Sequence, residues 1–237
     1  MYKVVVFDLG GTLMEFKGMP LSWVEYYKFA FENINNKYLL NLNEDDIKIS
    51  AQKLISLNPR INYREKEIEP EKMFEFAIEH WQKKPDVNDL VNDFFESFQL
   101  NAVVFDYSID LINKFKNRGC KIACLTDLPS GMPDDMFRKF ISELEPLFDL
   151  YVSSQKCGYR KPSTACLSFI KDKFSVSFDD MLFIGDERKD ELTAERAGCD
   201  FNYINDLLVV GCDDHIAPHI KSYHRKRSPS LSQGRLS

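Results

Sequence analysis

Apolar and polar positions follow two regimes along this 237-residue chain. Val4-Val5-Val6-Phe7 is an unbroken apolar, largely β-branched run, the pattern of a strand buried on both faces, and a strand is predicted over residues 3–7. From residue 20 to 100 the pattern is helical. Trp23, Tyr26, Tyr27, Phe31 and Tyr38 recur at helical spacing, and further helices are predicted over 43–57, 70–83 and 86–99. Asn43 before Glu44-Asp45-Asp46 reads as an N-cap with an acidic first turn, and Pro70-Glu71 as a helix start with proline at its first position. The aromatic stripe, with Phe94-Phe95, reads as helix–helix core, and a few of its members are expected to line a pocket.

From about residue 101 helix and strand alternate. Ile109, Ile112 and Phe115 mark a helix over 108–117, closed by Arg118-Gly119. Strands are predicted over 121–125, 148–152, 181–184 and 201–204, and helices over 134–144, 163–174 and 189–197, the last ended by Gly198. Such alternation implies an α/β fold: five parallel strands with right-handed crossovers and helices on both faces of the sheet. The helical block is then an insert after strand 1.

Composition narrows the picture. With 44% hydrophobic and 29% charged residues the chain reads as an ordinary globular protein. A formal net charge of −6 excludes a general nucleic-acid binder, so an anionic ligand would need a locally positive pocket. No apolar run approaches the roughly 18 residues of a membrane helix, and Met1-Tyr2-Lys3 leads straight into a predicted strand, so no signal peptide is expected. Cysteines 120, 124, 157, 166, 199 and 212 form no CxxC pair, zinc spacing or disulfide framework, so reduced thiols and a cytoplasmic location are expected. Residues 221–237, basic and serine-rich, read as a disordered tail.

In a parallel sheet, ligands sit outside the carboxyl ends of the strands. Strand 1 ends in Asp8, the next in Thr126-Asp127, and the strand over 181–184 in Gly185-Asp186-Glu187, with Asp190 a helical turn on. Arg160-Lys161-Pro162 places a lysine just before a helix. The chemistry that suits these groups is phosphoryl transfer. Asp8 and Asp186 can hold one Mg²⁺, with Asp190 as a further ligand or an orienting group. Asp8 attacks phosphorus to give an aspartyl-phosphate, Thr126 donates its hydroxyl to a phosphoryl oxygen, and Lys161 neutralises charge. Backbone N–H groups in the turn after Asp8, at Gly11 and Thr12, add donors to the substrate, and Asp127 lies beside it. Arg160 is open between a phosphate contact and a solvated loop cation.

The motifs FDLGGTL, CLTD, GYRKP and FIGDERKD, in this order, resemble those of the haloacid dehalogenase (HAD) superfamily. The resemblance implies a Rossmann-like core over 1–17 and 101–220, and a C1-type helical cap over 18–100. It also implies a Mg²⁺-dependent, phosphatase-like hydrolase acting on a small phosphorylated substrate as a monomer or homodimer, without nucleic-acid or membrane partners. Asp8 would be the nucleophile, Thr126 the phosphate ligand and Lys161 the cationic stabiliser, with Asp186 and Asp190 on the metal side.

One position departs from the pattern. The family's phosphatases carry a second aspartate two residues after the nucleophile, as general acid and base, and Gly10 stands there. Its carbonyl remains available to a metal; the side-chain acid is gone. General acid–base catalysis contributes roughly 10²–10⁴-fold. Three readings follow: a phosphatase using a good leaving group or another proton source, with Asp127 and Glu15 the nearby acids; hydrolysis of a carbon–halogen or carbon–phosphorus bond; or a weakly active or inactive binding protein that keeps the fold.

Overall fold

The computed structural model describes residues 1–209; the tail expected over 221–237 lies outside them, as does the end of the 101–220 segment. The strands, numbered along the chain, are β1 (Val4–Phe7), β2 (Met14–Phe16), β3 (Ala102–Val104), β4 (Lys121–Thr126), β5 (Leu150–Ser153), β6 (Met181–Gly185) and β7 (Asp200–Tyr203). Five of them form one parallel sheet of order β5-β4-β1-β6-β7, with β1 at its centre. This is the α/β architecture expected from the alternation.

Side chains along β1 alternate between two cores, as strand pleating requires. Val4 and Val6 join Ala123, Leu125 and Phe183 beneath two helices, α8 (Ala165–Phe174) and α9 (Arg188–Ala197). Val5 and Phe7 face the other way, toward α5 (Ser108–Asn117), in a core that runs on into the helical insert. With both faces covered, β1 is apolar at every position.

The insert holds α1 (Tyr27–Tyr38), α2 (Glu44–Ser56), α3 (Pro70–Ala77) and α4 (Val87–Glu96). α1 packs on α2 and α4, and α3 on the same pair. Its centre is aromatic: Phe94 meets Phe31 at 5.1 Å and Phe74 at 4.9 Å between ring centroids, edge to face. Asn43 caps α2 in a reciprocal box with Asp46, and Pro70 opens α3.

The structure departs from the sequence reading in places. β2 and β3 pair antiparallel, Glu15 opposite Val103, on either side of the insert. Each has three residues, too few to show a period, and they meet only because the insert returns the chain to its starting point. α3 stops at Ala77, short of 83, because the chain turns back at Ile78 and seats the Trp81 indole on Ser50 Oγ at 2.8 Å. α6 (Asp134–Phe140) likewise ends early, at the turn after Ile141. Two short helices, α7 (Ser154–Cys157) and α10 (Ile204–Val209), have no counterpart in the prediction.

The cysteines also differ from expectation. Cys157 and Cys166 are disulfide-bonded, their Cα atoms 5.6 Å apart. α7 and α8 fold back around the turn carrying Arg160, Lys161 and Pro162, which brings together two residues whose linear spacing carries no such signal. Cys120, Cys124 and Cys199 are free thiols and buried.

Candidate active site

β1, β4 and β6 are parallel neighbours, so their carboxyl ends deliver Asp8, Thr126-Asp127 and Asp186 to one edge. The Asp8 N–H donates to Ile184 O at 2.9 Å, and the chain then turns tightly, with Leu9 O accepting from the amides of Thr12, Leu13 and Met14. Gly11 makes this turn at φ +80, and a Cβ there would lie 2.1 Å from Asp186 Oδ2. Gly10 is under no such constraint: nothing lies within 4 Å of where its Cβ would be.

Asp8 is 4% exposed and Lys161 5%. The lysine Nζ lies 2.5 Å from Asp8 Oδ1 and 2.6 Å from Asp190 Oδ1. Asp190, fully buried, uses its other oxygen to accept the N–H groups of Asp186 (3.2 Å) and Glu187 (3.0 Å) at the start of α9. Both of its oxygens are therefore engaged, and it orients the Asp186 backbone. Carboxylate oxygens of Asp8, Asp186 and Asp190 all lie within 4.8 Å of one another. Burial pushes Asp8 above the ordinary carboxylate range; Lys161 pulls it down, and Asp190 pushes it up again. Asp186 is raised by burial, then by Asp190 and Glu187. Lys161 is held well above its usual value: burial works against it, but Asp190, Asp8 and Asp127 outweigh burial. Three converging carboxylates with one ammonium leave an excess of negative charge, and their hard oxygen donors suit Mg²⁺.

Thr12, expected on the substrate, is elsewhere. It is fully buried; its N–H is taken by Leu9 O, and its hydroxyl bridges Asp8 Oδ2 (3.4 Å) and Asp186 Oδ1 (3.3 Å). It braces the two aspartates. The Gly11 N–H is likewise used, by Met14 O at 2.8 Å, although Gly11 lines the cavity. The amides of Leu9 and Gly10 take no acceptor among the described residues.

Asp127 sits among three cations. Burial would raise it, but Arg160, Lys161 and Lys189 together hold it below the ordinary carboxylate value. Oδ1 accepts the Lys161 backbone N–H at 3.0 Å, so Asp127 fixes the lysine loop. Arg160 is not a solvated cation. It is buried, donating to Leu128 O at 2.8 Å and to Glu67 Oε2 at 2.5 Å.

These groups floor a cavity of about 380 Å³. Phe16, Met19 and Trp23 give it an apolar wall, and Tyr27, Asn58, Arg60 and Arg64 of the insert line it too, with Glu15 and Lys189. Sequence reasoning missed Asn58, Arg60 and Arg64, which stand in no motif. It missed Tyr107 and Ser108 as well; their hydroxyls donate to Thr12 O (2.8 Å) and Leu13 O (2.7 Å) and clamp the turn after Asp8. Lys189 was within reach, directly before Asp190 in the run ERKD.

Residues 2–198 match the model of the haloacid dehalogenase-like hydrolase family. The chain belongs to this family. Among curated relatives of the hydrolase, phosphoglycolate phosphatase of Aliivibrio fischeri is 26% identical over 90 residues, 38% of this chain and 39% of the relative. Phosphoglycolate phosphatase of Rhodospirillum rubrum is 27% identical over 135 residues, 57% of this chain and 48% of the relative. The matched stretches thus span less than half of these relatives' lengths. A HAD phosphatase from Thermococcus onnurineus superposes with a TM-score of 0.57 at 13% identity, covering 88% of this chain and 98% of the other, a likeness of fold. Among the described residues no helix is long and apolar enough to cross a membrane.

Proposed function

We propose that this hydrolase is a Mg²⁺-dependent phosphatase acting on a small phosphorylated metabolite, with Asp8 as nucleophile. The observation that carries the reading is the buried Asp8 carboxylate, pinned by Lys161 at 2.5 Å on the floor of a cavity and flanked by Asp186 and Asp190. The curated relatives matched, phosphoglycolate phosphatases, support the same class of chemistry.

Asp8 attacks phosphorus and the ester oxygen departs; water then cleaves the aspartyl-phosphate, regenerating the carboxylate and releasing phosphate. Thr126 and the free amides of Leu9 and Gly10 donate to the phosphoryl oxygens. Lys161 compensates charge on Asp8 and on the transferring group. Asp8, Asp186 and the Gly10 carbonyl would hold Mg²⁺, with Asp190 orienting the site; bound there, the ion supplies charge compensation to the phosphoryl oxygens. Residues 18–100 act as a cap over a core formed, among the described residues, by 1–17 and 101–209, excluding water and choosing the substrate. Gly10 supplies no acid and Asp127 is held below the ordinary carboxylate value by its three cations, so the proton for the leaving oxygen comes from Glu15, which lines the cavity, or from water, or the oxygen leaves as a stable anion.

The test is turnover of p-nitrophenyl phosphate with and without Mg²⁺. Wild type should turn it over only with Mg²⁺, and Asp8→Asn should lower the rate by about 10³-fold or more. Activity that ignores either change would refute the proposal. Gly10 also sustains the second reading, carbon–halogen or carbon–phosphorus hydrolysis. Release of halide or phosphate from such substrates, with no turnover of esters, would establish it.

A further inference from the structure

We propose that the leaving group of the substrate is a phenolic oxygen whose aromatic ring lies against Phe16, Trp23 and Phe137, so that the substrate is an aryl phosphate monoester. The inference rests on the phosphatase reading and names its substrate class.

The first observation is the wall of the cavity that holds Asp8. Phe16 ends β2, soon after the turn that follows the nucleophile, and Trp23 follows it in the insert; both are only partly buried. Their rings meet edge to face at 5.4 Å between centroids, and Phe137 of α6 meets Phe16 at 6.2 Å. All three line the cavity, as does Met19, whose N–H donates to Phe16 O at 3.0 Å. Behind them, Phe140 backs Phe16 at 5.1 Å and Phe98 backs Trp23 at 5.8 Å. The rings are therefore held from one side and open to the cavity on the other. An aromatic guest adds one more ring to this edge-to-face cluster and covers the apolar surface of Phe16 and Trp23. A dry pocket of about 150 Å³ admits benzene, so the roughly 380 Å³ here hold a ring and a phosphoryl group together.

The second observation is independent of the wall. Gly10 brings no side-chain acid to the departing oxygen, and Asp127 is committed to the Lys161 N–H at 3.0 Å. A substrate suited to this site is one whose oxygen departs without a proton. A phenol has a pKa of about 10, whereas an alcohol lies near water at about 15.7, so a phenoxide leaves where an alkoxide does not. When an Asp8 oxygen attacks phosphorus, the bond to the aryl oxygen breaks and its electron pair stays on that oxygen as phenoxide, which takes a proton from water on release. Water then cleaves the aspartyl-phosphate. The ring that fits the wall is thus the same group that spreads the charge of the leaving oxygen.

Steady-state kinetics of the full chain with Mg²⁺ on phenyl, benzyl and ethyl phosphate separate the two observations. Benzyl phosphate keeps the ring but departs as an alkoxide; ethyl phosphate has neither the ring nor the acidity. Phenyl phosphate should turn over about 10²-fold faster than benzyl phosphate, the range that a missing acid costs. Benzyl phosphate should show a KM roughly three- to tenfold below that of ethyl phosphate. Trp23→Leu should erase the KM difference between benzyl and ethyl phosphate and keep the rate difference between phenyl and benzyl phosphate. Phe16→Leu should do the same; should its loss from the aromatic cluster prevent folding, Trp23→Leu decides alone. Equal KM for benzyl and ethyl phosphate, or a KM difference that survives Trp23→Leu, would overturn the inference. So would equal turnover of phenyl and benzyl phosphate, which would show that Glu15 or water protonates the departing oxygen. Hydrolysis without these differences refutes the aryl substrate alone, whereas hydrolysis of none of the three refutes the phosphatase reading and this inference with it.

Discussion

In the sheet region the candidate chemistry sits at strand ends; in the helical insert it sits on the connection between α2 and α3. Asp8, Thr126 and Asp186 follow strands whose direction and neighbours leave their exits no choice of edge. Asn58, Arg60 and Arg64 follow a helix end, and what places them is a seam. Lys66 forms a β-bridge with Tyr159, the Glu67 N–H donates to Gly158 O at 2.9 Å, and the Arg160 N–H to Glu65 O at 2.7 Å. The residues of the insert that seat it are thus bonded to the very turn that carries Lys161. One region positions its chemistry by topology, the other by a few polar contacts. The second arrangement is the easier to retune by mutation.

The largest effect should come from cutting the seam. Glu67→Gln leaves Arg64 and Arg160 buried without their carboxylate, and breaking such a pair costs about 3 kcal/mol or more. Glu67 is held below its ordinary value: burial would raise it, but Arg160 chiefly outweighs that. A carboxylate lowered on folding contributes stability above its unfolded value of about 4.3, and the contribution is lost as pH falls through the lowered folded value. Urea unfolding should therefore show the full gap between wild type and variant at neutral pH, closing in acid below about pH 4. A gap independent of pH would mean that the seam does not rest on this charge.

Next comes the turn after Asp8. Gly11→Ala places a methyl group where Asp186 Oδ2 stands and strains a positive φ, so turnover should fall by about 10²-fold, whereas Gly10→Ala, with open space, should change turnover less than about threefold. Equal effects from the two would show that the approach of Gly11 to Asp186 does not set the site.

The smallest effect tests the missing acid. Gly10→Asp fits sterically and should raise turnover of alkyl phosphates relative to p-nitrophenyl phosphate by about tenfold. An unchanged ratio of the two rates would mean that proton delivery already has another donor.

How much was legible follows from the kind of constraint at each position. The apolar run Val4–Phe7 could be read because burial on both faces removes polar residues from a strand. The four motifs could be read because each ends a strand or opens a helix. Thr12 was misplaced because sequence order says it follows the nucleophile but not that its hydroxyl turns inward to bridge two aspartates. Arg160 was left open because its partner, Glu67, lies far away in another region. The Cys157–Cys166 pair went unseen because nothing in its spacing marks a bond.

By itself the sequence determined the strand–helix alternation, the aromatic centre of the insert, the set of residues at the sheet edge and the glycine in place of an acid. These rest on local periodicity and on strand ends, which neighbouring residues specify. Only the tertiary structure decided that Asp190 accepts the Asp186 and Glu187 amides and Asp127 the Lys161 amide, that β2 and β3 pair across the insert, and that two arginines of the insert line the cavity holding Asp8. Those facts depend on contacts between distant segments, where a charge takes its meaning from the partner that folding brings to it.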